Sequence, residues 1–519
     1  MKIKKYFIAI ITSVLVFGCS DEFLERNPLD EIVSTNFYQT ERDAQEALVA
    51  VYDVLGYQSS PGVSWCPIIS VSDMLSDDSF AGGGDANDGA NQDELNTFTI
   101  PTSNAIVHSL WIKNYIGIYR ANLYLEIIDL IDASDEFKAR TIAEAKFLRA
   151  YFNFEQVRFF ENIPLLTNTL SGPSEYSQEQ NTPKEVYDQI ALDLVEAIDD
   201  LPDWAVLDGD DRGRATSEAA KSLLGRVYLF YNGVYGADLV AGDVTIGNAQ
   251  VLSYLEEVIN DSGHDLLADY SQIFRLASEF SIESVFEISY GDAPIWWDWG
   301  YVRGGNGNLS AQQQGPRVES GSLNWTRGWS FATVSESLVT AMAGDPRLDA
   351  TVLFEGELDG VLAYGYQHTG YYSQKYTSDN EHYGASGQFE LNRTANHRVI
   401  RFSDVLLMAA ELGSPNAQNY LDRVRGRVGL GSIPATPDNI YNERRLELAL
   451  EGLRYHDLLR KGLTFAEGEL TESGIRGSDY IGDQSLFDVT FDASTKGFFP
   501  IPQEQIDLSG GVLIQNAGY

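Results

Sequence analysis

Residues 143–157 read AEAKFLRAYFNFEQV, and this stretch decides the fold class of the chain. Apolar residues recur in it at three- and four-residue spacing, which predicts an α-helix. They are Ala143, Phe147, Ala150, Phe154 and Val157. Leu148 and Phe152 form a second apolar stripe, and a helix that is apolar on two faces packs between neighbours. The stretch therefore predicts a layered, mostly α-helical protein.

Similar periodicity occurs along the chain on both sides of this stretch. The predicted helices cover about 39–56, 105–131, 135–160, 183–200, 215–232, 249–260, 401–411 and 437–461. Loops that contain Pro, Gly and Asp join many of them, so we expect stacked helical hairpins. A strict repeat of about 34 residues is not present, so any tetratricopeptide-like repeat is degenerate.

The N-terminus has the features of an export signal. Lys2, Lys4 and Lys5 precede an apolar stretch over residues 6–17, as in a secretory signal peptide. The stretch ends in Val-Phe-Gly-Cys19, which resembles a bacterial lipobox, and the Ser-Asp-Glu that follows resembles the surface-export signal of Bacteroidota lipoproteins. We expect a lipid anchor on Cys19 and a location on the outer face of the outer membrane. The alternative is a plain secreted protein that is cleaved nearby.

Charge and cysteine usage restrict the partners and the chemistry. The 519 residues include 36 basic and 76 acidic side chains, a formal net charge of −40 that becomes −43 once the signal is removed. Such a surplus of carboxylates argues against nucleic acid as a partner. With Cys19 lipidated, Cys66 is the only thiol left, so no intramolecular disulfide is expected. Cys66 is predicted to be a small buried side chain.

The sequence between about 289 and 394 lacks the helical pattern. It is rich in Gly, Tyr, Trp, Ser and Asn, and five of the eight tryptophans lie between Trp296 and Trp329. We therefore divide the chain into a signal peptide (1–18), an N-terminal helical scaffold (19–288), a loop-rich aromatic excursion (289–394) and C-terminal helices and tail that complete the scaffold (395–519).

Eight short motifs follow one another along the chain. They are NPLD (27–30), YRAN (119–122), EAKFLRA (144–150), GRAT (213–216), ERRLELA (443–449), EGLRYHDL (451–458), FPIP (499–502) and QNAGY (515–519). Their order and spacing resemble those of the SusD/RagB family of outer-membrane glycan-binding lipoproteins. The resemblance implies a scaffold of tetratricopeptide-like helix pairs with a loop-rich region that binds sugar. It also implies a partner, a SusC-like TonB-dependent transporter over which the protein sits as a lid.

The charged motifs near the C-terminus are interpreted as structural. Glu447 follows Arg444 by three residues, and Glu451 precedes Arg454 by three, so opposite charges neighbour each other along a predicted helix. We expect an ion-pair network that fixes helix packing.

The aromatic excursion supplies the chemistry of a sugar site. A pyranose ring stacks its C–H face on an aromatic ring, and its hydroxyls need amide, carboxylate or guanidinium partners. The predicted glycan-binding residues in the excursion are Trp296, Trp297, Trp299, Tyr301, Trp325, Arg327 and Trp329. A second predicted strip contains Asp77, Asp78 and Asn87, on a loop that lies near the sugar in relatives. The alternative is that these tryptophans are core residues, the usual fate of a large aromatic and the one predicted for Trp111.

Signatures of catalysis and of cofactors are missing from the sequence. No nucleophile elbow, phosphate loop or His-Glu-x-x-His is present, so an enzyme is not expected. Counted from Asp85, glycine falls at position five and Asn96 at twelve, which breaks the EF-hand pattern. No cofactor is expected, and a calcium site of another kind is the alternative to a solvated acidic loop.

These observations predict a surface lipoprotein that binds an oligo- or polysaccharide and delivers it to its transporter. The negative charge favours a neutral glucan such as a β-glucan, although Arg303, Arg317 and Arg327 provide local positive charge. The alternatives are a surface glycoside hydrolase or lyase, and a lid protein for a peptide or another non-glycan nutrient.

Overall fold

A computed structural model describes residues 38–59, 64–172, 175–207, 209–291, 307–383, 390–475 and 487–519. The described α-helices are α1 (Glu41–Asp53), α2 (Ile68–Met74), α3 (Ala90–Asn96), α4 (Ala105–Ile127), α5 (Asp135–Phe160), α6 (Pro183–Ile198), α7 (Ser217–Tyr235), α8 (Asn248–Asp261), α9 (Leu309–Gln314), α10 (Glu336–Ala341), α11 (Leu348–Thr351), α12 (Phe402–Glu411), α13 (Ala417–Arg427), α14 (Pro437–Glu447), α15 (Arg454–Arg460), α16 (Leu463–Leu470) and α17 (Gln503–Leu508).

The described β-strands are short. They are β1 (Ser79–Gly82), β2 (Leu239–Ala241), β3 (Val244–Ile246), β4 (Ser284–Ile288), β5 (Val318–Ser320), β6 (Phe331–Val334), β7 (Val352–Phe354), β8 (Val361–Leu362), β9 (Tyr371–Ser373), β10 (His397–Arg401), β11 (Glu472–Ile475) and β12 (Phe487–Val489). They form antiparallel two-stranded ladders, namely β1–β6, β2–β3, β4–β10, β5–β8, β7–β9 and β11–β12. The mostly α-helical class predicted from the sequence is confirmed.

The long helix α5 is the centre of the scaffold. Its N-cap Ser134 accepts a hydrogen bond from Phe137 N, and Asp135 and Glu136 lie in its first turn, where carboxylates are favourable. Both apolar stripes of α5 are buried, because α4 packs on one side and α6 on the other. The chain continues through α7, α8, α12 and α13, each packed against the helix before it, so the core runs through stacked helices. Trp111, on α4, lies in this core as predicted.

The C-terminal motifs fold differently from the prediction. One helix was predicted over about 437–461, but α14 and α15 are separated by a turn at residues 448–453. Leu450 (φ 60°) and Gly452 (φ 73°) adopt the left-handed region, which ends a helix. A Cβ atom on Gly452 would lie 3.2 Å from Ile69 Cα on α2, so this glycine also permits close packing. Its backbone N–H donates to Asp73 Oδ1 at 2.9 Å.

An ion-pair network is present, as predicted, but Arg444 and Arg454 pair with other carboxylates than the predicted ones. Glu447 contacts three guanidiniums, from Arg347, Arg401 and Arg427, and all four side chains are buried. Arg444 pairs with Asp404 and Asp457 instead of Glu447, and Arg454 pairs with Asp77 and Glu469 instead of Glu451. The charged side chains of α14 and α15 therefore pair with residues on other elements, and these pairs join the elements to the two helices.

The excursion is attached to the scaffold at several points. It leaves after β4 and returns before β10, and these two strands pair with each other. Within the excursion, Arg347 pairs with Glu443 at 2.7 Å and Lys375 with Glu451 at 2.7 Å. Strand β6 pairs with β1 of the scaffold, with Gly82 opposite Phe331. The loop after β1 therefore lies beside the excursion.

Within the part of the chain that the structure describes, no helix has the length and apolar character needed to cross a membrane.

Candidate functional site

A cavity of about 360 Å³ opens where the scaffold meets the excursion. Its lining residues come from the segments before α2, after β1, around β5 and β6, and near residue 390. They are Trp65, Asp88, Gln92, Arg317, Arg327, Trp329, Phe331 and Glu390. We call this cavity the Trp65–Trp329 cleft.

Two tryptophan rings define the shape of the cleft. The ring centroids of Trp65 and Trp329 lie 6.0 Å apart, with 60° between the ring planes, and both rings are half-buried. Trp65 is held by an antiparallel bridge to Ser59, and Trp329 by a hydrogen bond of its backbone N–H to Gln312 O at 2.9 Å. The indole N–H of Trp329 donates to Glu390 Oε1 at 3.1 Å. The two rings are thus presented at a fixed angle.

Charged side chains form the rim of the cleft. Arg317 Nε donates to Trp329 O at 3.0 Å and to Ser330 Oγ at 3.1 Å, and Arg317 Nη2 donates to Asp88 Oδ2 at 2.6 Å. Arg327 is more loosely held, because its side chain is 47% exposed and lies 3.6 Å from Glu319. The rim therefore offers donors and acceptors of both charges beside two aromatic rings.

Two of the predicted glycan-binding residues, Arg327 and Trp329, lie in this cleft. Asn87 is exposed on the loop after β1, next to the lining residue Asp88. Trp325 is half-buried, forms a backbone bridge with Asp379 and does not line the cleft. The predicted residues Trp296, Trp297, Trp299 and Tyr301, and the predicted lipidation site Cys19, lie outside the described residues.

The structure does not support Asp77 and Asp78 as sugar ligands. Both side chains are buried, and Asp77 is held by two hydrogen bonds from Arg454, at 2.7 and 2.8 Å. Asp78 Oδ1 accepts from Arg445 at 2.7 Å. Burial raises the pKa of Asp77, but the Arg454 guanidinium outweighs it and lowers that pKa overall; burial raises the pKa of Asp78. The ion pairs of these carboxylates join the segment before β1 to α14 and α15. Each carboxylate needs its arginine partner, because an unpaired buried charge is unfavourable.

Sequence reasoning missed most of the cleft. Trp65 is not among the residues predicted from the sequence, and Arg317 is identified there only as local positive charge. Asp88 adjoins the predicted Asn87, so the acidic loop was a usable signal, whereas Gln92 and Glu390 stand in segments without a distinguishing pattern.

The described ranges contain no group of three or more His, Cys, Asp or Glu side chains placed to hold a metal ion. In the acidic loop, Asp85 Oδ1 accepts from Asn87 N at 2.8 Å, and Asp88 Oδ2 accepts from Gly84 N at 2.7 Å. The carboxylates of this loop thus bind its own backbone, as in an Asx turn.

A helical scaffold with an aromatic cleft is the architecture of an α-helical ligand-binding protein. Comparisons with known proteins identify the family. The family described as "SusD family" matches residues 339–519, and the one described as "Starch-binding associating with outer membrane" matches residues 22–229. A solved structure named as a laminarin binding SusD-like protein is 33% identical, with a TM-score of 0.79, over 93% of this chain and 100% of that one. This chain belongs to the SusD family, also called SusD/RagB.

Other relatives extend over the same length. Surface glycan-binding protein A from Bacteroides thetaiotaomicron, solved in complex with laminarihexaose, is 29% identical, with a TM-score of 0.78, over 92% of this chain and 100% of that one. The SusD-like protein P2 of Formosa agariphila is 28% identical and covers 99% of this chain and 100% of its own length. The predicted tetratricopeptide-like helical scaffold is confirmed by these structural neighbours.

Proposed function

We propose that this protein is a cell-surface lipoprotein that binds a neutral glucan, with a β-glucan favoured, in the Trp65–Trp329 cleft and delivers it to a SusC-like TonB-dependent transporter. The observation that carries the proposal is the pair of tryptophan rings, 6.0 Å apart at 60°, inside a cavity of about 360 Å³ with a polar rim. Two flat apolar surfaces at a fixed angle suit the C–H faces of a bent chain of sugar rings.

The rim supports an uncharged ligand. The positive charge of Arg317 is neutralised by Asp88 at 2.6 Å, and Arg327 lies near Glu319, so little net positive charge faces the cleft. The whole chain carries a net charge of −40, which repels an anionic polymer at long range. The names of two similar proteins, which mention laminarin and laminarihexaose, support a β-glucan.

Binding of a single sugar unit to such a surface is weak, so capture depends on several contacts with one polymer. A chain with repeated units engages neighbouring contacts at high effective concentration, which raises the overall affinity. We therefore expect affinity to increase with oligosaccharide length until the cleft is filled.

Affinity electrophoresis and calorimetry with laminarin, an α-glucan and an anionic polysaccharide test the proposal. Laminarin is expected to retard the wild-type protein, and Trp65→Ala and Trp329→Ala are expected to abolish the retardation. Leu323→Ala is the matched control, because Leu323 is 84% exposed on the excursion and does not line the cleft. If both tryptophan variants stay folded by circular dichroism and bind laminarin normally, the assignment of the cleft is wrong.

The anchor and the delivery step have separate tests. Cys19→Ser is expected to move the protein from the membrane fraction to the soluble fraction. Affinity-tagged protein extracted from membranes is expected to co-purify with a TonB-dependent barrel, and its absence from repeated extractions would contradict delivery. New reducing ends after incubation with laminarin would instead support the hydrolase alternative.

A further inference from the structure

An ion pair lies in the wall of the Trp65–Trp329 cleft. Arg317 Nη2 donates to Asp88 Oδ2 at 2.6 Å, and both residues line the cleft. Arg317 belongs to the excursion and Asp88 to the loop after β1, so the pair joins the two parts of the chain that form the cleft. The Asp88 side chain is 42% exposed and the Arg317 side chain 13%, so a ligand in the cleft can reach the pair.

Glycines of the loop after β1 hold the carboxylate of Asp88 in place. The Gly84 N–H donates to Asp88 Oδ2 at 2.7 Å, and a Cβ atom on Gly84 would lie 2.8 Å from both Asp88 Oδ2 and Arg317 Nη2. A Cβ atom on Gly89 would lie 2.6 Å from Phe331 Cε1, so the loop packs its backbone against the excursion. The backbone of the loop therefore fixes the geometry of the ion pair.

Both partners of the ion pair keep hydrogen-bonding capacity for a ligand. Arg317 Nε donates to Trp329 O and Ser330 Oγ, and no described residue accepts a hydrogen bond from Arg317 Nη1. Asp88 Oδ2 accepts from Gly84 N and from Arg317, and no described residue donates to Asp88 Oδ1. A guanidinium only donates and an ionised carboxylate only accepts. Neighbouring sugar hydroxyls both donate and accept, so they can bond to the two sides of the pair at once.

The formal charges of the lining sum to zero. Four lining residues are charged, two of each sign, namely Arg317, Arg327, Asp88 and Glu390. Asp88 contacts a lining guanidinium, whereas Glu390 accepts from the indole N–H of Trp329. An anionic sugar would bring a further negative charge close to Asp88, where like charges repel. Without the charge of Asp88, Arg317 would be an unneutralised cation in the wall of the cleft.

We propose that Asp88 is a specificity-determining residue of the cleft, which neutralises Arg317 and so admits a neutral sugar and excludes one that carries a carboxylate or sulfate group. The proposal rests on the function proposed for the cleft and names the feature that selects the ligand. The carboxylate and the guanidinium act as one neutral unit with a donor side and an acceptor side, and neighbouring hydroxyls are complementary to it.

The test compares laminarin with the same polymer oxidised at C6 to a polyuronate, by affinity electrophoresis and calorimetry on the full chain. The wild-type protein is expected to bind laminarin more tightly than the polyuronate. Asp88→Asn is expected to lower the ratio of the two affinities about tenfold, because the unneutralised Arg317 then attracts the carboxylates. Asparagine keeps an acceptor for the Gly84 N–H, so the loop is expected to keep its conformation, which the melting temperature checks.

Two further variants separate the charge of the cleft from the charge of the loop. Asp85→Asn is the matched control, because it removes the same charge from the same loop and Asp85 does not line the cleft. Its affinity ratio is expected to equal that of the wild type. Adding Arg317→Gln to Asp88→Asn restores a lining without net charge, so this double variant is expected to reject the polyuronate again. Added salt is expected to weaken polyuronate binding by Asp88→Asn, because it screens the attraction.

The outcomes distinguish a failure of this proposal from a failure of the proposed function. An unchanged affinity ratio in a folded Asp88→Asn protein, with laminarin binding by the wild type intact, would overturn the role of Asp88 alone. A wild-type protein that binds neither polymer, or that prefers the polyuronate, would overturn the function proposed for the cleft and the role of Asp88 with it.

Discussion

Glu447 lies at the centre of the buried charge network that joins the excursion to the scaffold. Its carboxylate is fully buried and contacts Arg347, Arg401 and Arg427. Burial raises the pKa of Glu447, but the three guanidiniums outweigh it and hold the pKa well below its usual range. A carboxylate in this position keeps separate elements in one arrangement, because guanidiniums from three parts of the chain converge on it.

The first prediction concerns this residue. Glu447→Gln is expected to lower the free energy of unfolding by about 3 kcal/mol or more, because it removes the buried carboxylate charge that three guanidiniums share. Urea denaturation followed by fluorescence measures the change. The matched control is Glu46→Gln, which breaks the exposed pair with Arg42 on α1 and is expected to change stability by less than about 0.5 kcal/mol. Equal effects of the two substitutions would show that the network is not needed.

The second prediction concerns the thiol of Cys66. Cys66 is fully buried, and burial raises the pKa of its thiol to about 11. Thiolate is the reactive form, so the folded protein is expected to resist a thiol reagent at neutral pH. In the Cys19→Ser variant, labelling is expected only after denaturant is added. Rapid labelling in buffer would contradict the buried position.

At the scale of elements, the turn between α14 and α15 is set by one close contact. Gly452 combines a left-handed backbone with a Cβ position 3.2 Å from Ile69 Cα, and its N–H donates to the buried carboxylate of Asp73. The turn thereby fixes α15 against α2, the helix that precedes β1. Since β1 pairs with β6, the same contact helps to position the loop that carries Asp88.

The third prediction tests this turn. Gly452→Ala is expected to destabilise the protein by about 1 kcal/mol or more, because alanine is strained at positive φ and its methyl group crowds α2. Gly468→Ala is the matched control, since Gly468 lies inside α16 and its Cβ position is open. That substitution is expected to stabilise the protein by up to about 1 kcal/mol, because alanine favours helix. Thermal and urea unfolding measure both.

Helices α1, α4 to α8 and α12 could be predicted from sequence because each carries its own periodic pattern, whereas α13 and the short helices α2, α3, α9 to α11, α16 and α17 were not predicted. The two apolar stripes of α5 required two neighbours, and α4 and α6 supply them. The turn at 448–453 could not be predicted, because Leu450 continues the apolar stripe of the motif while its backbone is left-handed. Its conformation depends on packing against α2, which the local sequence does not contain.

The cleft could be predicted only in part, for a similar reason. Trp329 and Arg327 were identified because they stand in a segment that is both aromatic and polar. Trp65 belongs to the scaffold, and tertiary contacts bring the two segments together, among them the pairing of β1 with β6 and the packing of α2 against β6 and α9. Asp77 and Asp78 were misassigned, because acidic residues beside a glycine-rich loop look solvent-exposed until their arginine partners are known.

At the scale of the whole molecule, all six histidines share one electrostatic feature. They are buried or nearly so, and burial lowers the pKa of each, to about 4 for His264 and about 3 for His397. In the unfolded chain a histidine has its ordinary pKa of about 6.5. Below that pH the unfolded state binds protons that the folded state refuses, so stability falls as the solution is acidified.

The fourth prediction isolates one of these histidines. His397→Gln is expected to reduce the slope of unfolding free energy against pH by about 1.4 kcal/mol per pH unit between roughly pH 4 and 6, since one proton fewer is taken up on unfolding. Urea titrations at several pH values measure both slopes. Carboxyl groups with raised pKa, such as Asp73 at about 7, contribute the opposite slope in both proteins and cancel in the difference. Identical slopes would mean that His397 is charged in the folded protein.

Trp65 and Trp329 come from different parts of the chain, so a ligand that contacts both rings stabilises the packing of those parts against each other. Trp65 belongs to the segment before α2, and Trp329 to the excursion, so an oligosaccharide that contacts both rings is a non-covalent cross-link. A ligand that binds only the assembled cleft adds its binding free energy to the docking of the excursion on the scaffold. Protease resistance of the excursion is therefore expected to rise with glucan concentration, and an empty receptor becomes the form that is more readily degraded.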